Sequence, residues 1–182
     1  MRSIVYIASS LDGFIARENG DLDWLPHSSN GESGEGLGFK EFFDSIDALV
    51  MGSRTYEKVI SFGNWPYGEK RVIVLSSKPV EIPMIHTEFV SHKNCSPHEL
   101  IRELSEKGVK RIYVDGGKTI QGFLDAGLID EIIITRIPIL IGQGIPLFGS
   151  LEEDIQLKHL ETHSFESGFV QSRYEVIHES DG

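Results

Sequence analysis

Ile4-Val5-Tyr6-Ile7-Ala8-Ser9-Ser10-Leu11-Asp12-Gly13-Phe14-Ile15-Ala16 is the stretch whose reading decides the fold. An apolar run of this length, bounded by turn residues, reads as a buried strand over 3–8. Ser10, Asp12 and Gly13 then turn the chain out of the sheet, at the edge where α/β proteins place their ligands. Leu11, Phe14 and Ile15 would be wasted in a solvent loop, so the loop is expected to fold back over something flat and partly apolar.

Working outward, strand and helix alternate. Strands are expected at 3–8, 47–52, 71–75, 85–90, 111–115, 131–138 and 169–177, and helices at 38–46, 53–61, 97–107 and 118–126. Ser96-Pro97-His98-Glu99 supplies an N-cap, a proline at the first helical position and an early acid, and Gly108 stops that helix. The last strand alternates after the Glu166-Ser167-Gly168 turn, which suggests an antiparallel hairpin with the segment near 155–163. Such a pattern predicts a single α/β domain over 1–182, with a mostly parallel, mixed sheet flanked by helices. Residues 26–38 read as a glycine-rich loop.

The 182 residues, 40% of them hydrophobic, bury enough surface to need no covalent staple. One cysteine, Cys95, offers neither an internal disulfide nor a zinc spacing, which suggests a reducing compartment; cytoplasm is the expectation. No apolar run reaches the ~18 residues of a membrane helix, and the N-terminus reads as no signal peptide. A net charge of -11 argues against binding a polyanion such as nucleic acid. His159 and His163 lie in a segment that reads as extended, with no third ligand evident, so no metal site is expected.

Three further strand ends carry suggestive residues. Gly52-Ser53-Arg54-Thr55 follows a strand, with Ser53 or Thr55 placed to cap the next helix and Arg54 beside its free N–H groups. Ser76-Ser77-Lys78 follows Leu75 and adds two hydroxyls and a cation, as a 2′-phosphate would require. Asp115-Gly116-Gly117-Lys118-Thr119 lets the backbone approach a pyrophosphate at a helix start. Each is weak alone; at successive strand-to-helix junctions they favour a dinucleotide, with a nicotinamide ring as the flat group under the first loop.

These residues, with Asp21-Leu22-Asp23-Trp24-Leu25, Met51-Gly52-Ser53-Arg54-Thr55-Tyr56-Glu57 and Pro138-Ile139-Leu140-Ile141-Gly142-Gln143-Gly144-Ile145-Pro146-Leu147-Phe148, resemble in order the dihydrofolate reductase superfamily. Within it, the chain looks like the riboflavin-biosynthesis reductase branch, the RibD C-terminal type. The resemblance implies a single-domain dihydrofolate-reductase-like fold and NADPH as cofactor. Ala8 and Ile15 would meet the nicotinamide carboxamide. Gly52, Ser53, Arg54, Thr55, Leu75, Ser76, Ser77 and Lys78 would surround the adenosine phosphate end, and Gly116, Gly117, Lys118 and Thr119 the pyrophosphate. A local cation suits NADPH over NADH. The resemblance and the apolar Ile132–Ile141 stretch together suggest a homodimer.

On the substrate side Asp115 matches the acid that meets substrate in that branch, and Tyr6 and Trp24 would line the pocket, Trp24 as a latch on the first loop. The branch has lysines where this chain has Tyr6 and Phe14. A dihydrofolate reductase acid would fall near Gly36 to Gly38; Glu35 and Glu41 read instead as a solvated helix start. Asp115 is the first candidate for the proton donor, with Asp12 and Asp23 behind it. The expected activity is reduction of a C=N or C=O in a small pyrimidine or pterin, akin to 5-amino-6-(5-phosphoribosylamino)uracil reduction. A dihydrofolate reductase proper and a non-catalytic nucleotide-binding module are the alternatives.

Overall fold

In a computed structural model, residues 1–26 and 37–178 are described. The elements are β1 (Arg2–Ser10), β2 (Phe14–Ala16), α1 (Phe39–Ser45), β3 (Ala48–Gly52), α2 (Ser53–Ser61), β4 (Arg71–Leu75), β5 (Val90–Lys93), α3 (Pro97–Glu106), β6 (Arg111–Asp115), α4 (Gly117–Asp125), β7 (Glu131–Ile137), β8 (Ile145–Pro146), β9 (Leu157–Ser164) and β10 (Val170–Val176). Eight strands form one sheet in the order β5-β4-β3-β6-β1-β7-β10-β9, and β2 pairs with β8 apart from it. Neighbours from β5 to β7 run parallel, while β10 is antiparallel to both β7 and β9. The mixed sheet with its C-terminal hairpin is the architecture expected.

The parallel strands are apolar along their whole length because both faces are covered. On one face Val5, Val50, Ile112 and Val114 pack with Leu100 and Leu104 of α3 and Ile120 and Phe123 of α4. On the other, Ile4, Tyr6, Leu49, Met51 and Tyr113 pack with Phe42 of α1 and Tyr56 and Val59 of α2. Every crossover returns the chain to the same edge, so the ends of β1, β3, β4 and β6 lie side by side.

One sequence reading of the strands needs correction. The strand expected over 85–90 is a 3₁₀ turn at Met84–His86 followed by β5 at Val90–Lys93. Pro83 (φ −55°) sets up the turn, and Met84 and Ile85 are 90% and 78% exposed, so the apolar run has no sheet face to fill. The apolar Ile132–Ile141 stretch is largely used within the chain: Ile132, Ile134 and Ile137 are buried in their own core. It does not by itself call for a second subunit. The expectations placed on 27–36, Glu35 and Gly36 included, lie outside the described residues.

No helix among the described residues is long and apolar enough to cross a membrane. His159 Nε2 lies 2.6 Å from Thr162 Oγ1 and His163 Nε2 3.3 Å from Glu161, as part of the exposed β9 surface.

One buried charge ties the parallel and antiparallel parts together. Glu131, 1% exposed, receives Arg2 Nη2 at 3.2 Å and Arg173 Nε at 2.6 Å, from β1 on one side and β10 on the other. Glu131→Gln removes the buried anion that the two guanidiniums share, leaving Arg2 with Glu175 at 3.9 Å and Arg173 with Glu161 at 3.5 Å, and is expected to cost ~1–3 kcal/mol, the scale of hydrogen bonds to charged groups. The check is a lower urea midpoint at unchanged m-value.

Candidate functional site

The first corner of the site is the end of β1. Ser10, fully buried, donates from Oγ to Asp12 Oδ1 (2.6 Å) and accepts from the Phe14 amide (3.0 Å), so the Ser10–Phe14 turn is closed by its own side chains. Ala8 and Ile15 are half-buried on its two sides. Trp24, 7% exposed, packs against Ile137 and Phe169, with Ala8, Ile139 and Ile141 around the same cluster. Its indole Nε1 has no hydrogen-bond partner among the described residues. Sequence reading placed this tryptophan as a latch; the fold places it in the cluster that includes Ala8.

The second and fourth corners meet. β3 and β6 are parallel neighbours with Met51 opposite Asp115, which brings the first turns of α2 and α4 together. A methyl group at Gly116 would stand 2.5 Å from Thr55 Oγ1, and one at Gly52 would stand 2.9 Å from Thr119 Oγ1. Gly116 also has φ +94°, a region L side chains rarely enter. Only glycine fits this approach, and the result is two helix N-termini side by side. Neither carries a side-chain cap: the N-caps are Gly52 and Gly116. The capping expected from Ser53 or Thr55 does not occur, because Ser53 is already the first helical residue. Their free N–H groups are therefore available to an anion.

At the third corner, the end of β4, the Ser76 amide bonds to the Lys93 carbonyl (3.0 Å) and Ser76 Oγ accepts from the Lys78 amide (3.1 Å). His92 sits on β5 opposite Val74 with Nε2 2.8 Å from the Ser76 carbonyl. Its position follows from the register of β5, which the misplaced strand had hidden. Leu75 is half-buried, and Ser77 is exposed. Arg54, Lys78 and Lys118 are exposed around these corners, and among the described residues none is in an ion pair.

Between these corners and α1 lies an aromatic wall. Tyr6 stacks on Phe42 (4.7 Å between centroids) and meets Phe39 edge-on at 5.3 Å; Tyr113 meets Phe42 at 5.2 Å and donates from Oη to the Tyr6 carbonyl (2.9 Å). The Tyr6 hydroxyl donates to the Leu37 carbonyl (2.5 Å) and accepts from Gln171 Nε2 (2.9 Å). Burial pushes its phenol pKa up. Gln171 also reaches Thr135 Oγ1 at 3.1 Å. Tyr6 is thus a wall held by β10, and Gln171 is a residue that sequence reading missed. A groove of about 280 Å³ runs from Tyr6 and Leu37 past Gln171 to Arg173 and Glu131. A larger groove of about 1090 Å³ lies elsewhere, lined by residues such as Arg71 and Val90 at the starts of β4 and β5 and by α3.

Asp115 closes the wall. It is half-buried at the end of β6, and its Oδ1 accepts from the Gly116 amide at 2.9 Å. Burial pushes its pKa up to about 6 against that hydrogen bond. Burial pushes the phenols of Tyr67 and Tyr113 upward, and the charge of Asp115 adds to it. Asp12 is different: exposed, it takes hydrogen bonds from Ser10 Oγ and the Ile141 and Gly142 amides, which hold its pKa below the usual range. Between Asp115 and Asp12, Asp115 is the acid whose pKa is shifted toward neutrality.

The fold and the paired helix N-termini define the class: a dihydrofolate-reductase-like α/β protein with two helix starts side by side at the C-terminal edge of its sheet. Residues 3–171 match the family model of the RibD C-terminal domain, and the chain belongs to that family. A solved structure from Shewanella sp. PV-4, provisionally named for riboflavin biosynthesis, superposes with a TM-score of 0.89 at 40% identity, covering 98% of this chain and all of that one. The Bacillus subtilis (strain 168) protein YwjB, itself uncharacterised, is 34% identical over 90% of this chain and 92% of its own length. A diaminohydroxyphosphoribosylaminopyrimidine deaminase/5-amino-6-(5-phosphoribosylamino)uracil reductase of Thermotoga maritima shares the fold (TM-score 0.71, 18% identity); 97% of this chain covers 56% of that longer one.

A carboxyl group whose pKa is raised on folding binds more protons folded than unfolded between about pH 4 and 6. Asp115 therefore makes the fold less stable as pH rises through that window, opposite to an ion-paired acid. Asp115→Asn is expected to raise the midpoint of unfolding at pH 7.5, with the advantage shrinking toward pH 4. A thermal series across that range checks it.

Proposed function

We propose that this protein is an NADPH-dependent reductase of a small planar heterocycle, of pyrimidine or pterin type, acting at a C=N or C=O bond. The observation that carries the reading is the meeting of Gly52, Thr55, Gly116 and Thr119. There two uncapped helix starts meet, with a backbone surface that a single Cβ would obstruct. That cradle suits a pyrophosphate. Gly117 and Lys118 extend it along α4. Arg54, Ser76, Ser77 and Lys78 supply a cation-rich rim for a 2′-phosphate, and Ala8 and Ile15 stand where β1 leaves the sheet for a nicotinamide.

Bound in this cleft, NADPH would supply the hydride. The chain's own residues position and protonate. Tyr6, Phe39, Phe42 and Tyr113 would offer an aromatic wall, and Trp24, packed with Ala8, would keep water from the nicotinamide end. Asp115, with a pKa raised to about 6 by burial, would exchange a proton with substrate through Oδ2, the oxygen that the Gly116 amide does not occupy. Tyr6 and Phe14 stand where lysines are found in riboflavin-pathway reductases, which points the specificity away from an unmodified copy of that substrate.

Calorimetric titration with NADPH and NADH tests the reading. Micromolar binding with a clear preference for NADPH is expected. Arg54→Ala should raise the Kd for NADPH by ~10–100-fold, the ~1–3 kcal/mol of a charge-assisted contact, and leave NADH nearly unchanged. Equal losses for both cofactors would remove the 2′-phosphate assignment, and no binding of either would remove the reductase reading.

A further inference from the structure

Asp12 invites a role other than proton transfer. An exposed carboxylate ordinarily samples many rotamers, yet this one collects three donors from two separate segments. Ser10 Oγ reaches Oδ1 at 2.6 Å from its own loop, while the amides of Gly142 and Ile141 reach Oδ2 at 2.8 Å and Oδ1 at 3.3 Å from a segment far along the chain. Two backbone bonds flank the carboxylate: the Leu11 amide to the Ile139 carbonyl, and the Leu147 amide to the Gly13 carbonyl, each 2.9 Å. β2 and β8 then continue the contact, with Ala16 opposite Ile145. The first loop and residues 138–147 are one two-layered wall.

That wall touches both ends of the proposed cofactor site. Ile139 and Ile141 pack into the cluster of Trp24 and Ala8 at the nicotinamide end. Ile145 and Pro146 close over Gly117 at the pyrophosphate end, where an added methyl would lie 3.2 Å from the Pro146 carbonyl and 3.0 Å from Ile15 Cδ1. Leu11 and Leu140 carry 59% and 69% exposed side chains on the outer layer. The flanking bonds pin the ends of residues 138–147, but between Ile139 and Ile145 the segment is tied to the first loop by the Asp12 carboxylate.

We infer that Asp12 is a positioning residue: its carboxylate fastens residues 138–147 to the first loop and so fixes the spacing between the nicotinamide and pyrophosphate ends of the cleft. The positioning half rests on the reductase reading; the fastening half does not. Asp12 does not reach the reacting atoms. As an anion held by three donors it has no proton to give near neutral pH.

The test compares the wild type with Asp12→Ala and Asp12→Asn in two measurements. In amide hydrogen exchange, Ile141 and Gly142 should exchange about tenfold or more faster in Asp12→Ala, with the β7 amides unchanged and Asp12→Asn in between, since Asn keeps one acceptor oxygen. In NADPH titration, the Kd should rise by about tenfold in Asp12→Ala. Once a turnover assay is in hand, kcat at saturating NADPH and the shape of its pH profile should stay close to wild type. Unchanged exchange at Ile141 and Gly142 would overturn the fastening. Faster exchange with unchanged Kd would overturn the positioning role, and a fall in kcat at unchanged Kd would return Asp12 to the chemistry. If the wild type itself does not bind NADPH, the reductase reading fails and the positioning role with it, while exchange still decides the fastening.

Discussion

The approach of β3 to β6 at their C-terminal ends is the constraint on which the rest of the site depends. Two parallel strands in register lead directly into two helices, and Gly116, at φ +94°, lies so close to Thr55 that no side chain fits between them. Had either junction carried a Cβ, the helix starts would be pushed apart and their N–H groups would no longer point at one place. The absence of side-chain caps follows from the same geometry, since the N-cap of each helix is the glycine that the close approach demands, Gly52 or Gly116, and glycine has no side chain to cap with. Local helix stability is given up at the edge where an anion would restore it.

Around that constraint the fold separates stabilising charges from those available to a ligand. Glu131 is buried between two arginines and joins the parallel sheet to the antiparallel hairpin, and Glu103 is shared by Lys93 and Lys107. Among the described residues, Arg54, Lys78 and Lys118 stand outside such pairs, and Asp115 has no cation partner; burial raises its pKa, as in groups suited to proton transfer.

Much of the fold was legible because it is written in local periodicity and punctuation. The α3 start is the clearest case: Ser96 Oγ accepts from the Glu99 amide while Glu99 returns a bond to the Ser96 amide, the reciprocal pair that the Ser-Pro-His-Glu run implies. β4 and α2 fall at 71–75 and 53–61 as read. The run at 85–90 failed because an apolar sequence does not say whether a neighbouring strand is there to bury it. That error also hid His92, whose place beside Ser76 depends on the β5 register.

By itself, the sequence determined the class of fold, the order of the strand-ending corners and the residue types available at each, since strands, turns and caps are set by neighbours a few positions apart. Only the tertiary structure decided what those residues do. Asp12 became a fastener because its amide donors lie 129 and 130 positions away, and Tyr6 became a fixed wall because Gln171, 165 positions on, bonds its hydroxyl. Asp115 acquired its raised pKa from burial that no local motif encodes. Partners so far apart meet only when the sheet is assembled, and the packing that joins them is a property of the whole fold rather than of any segment.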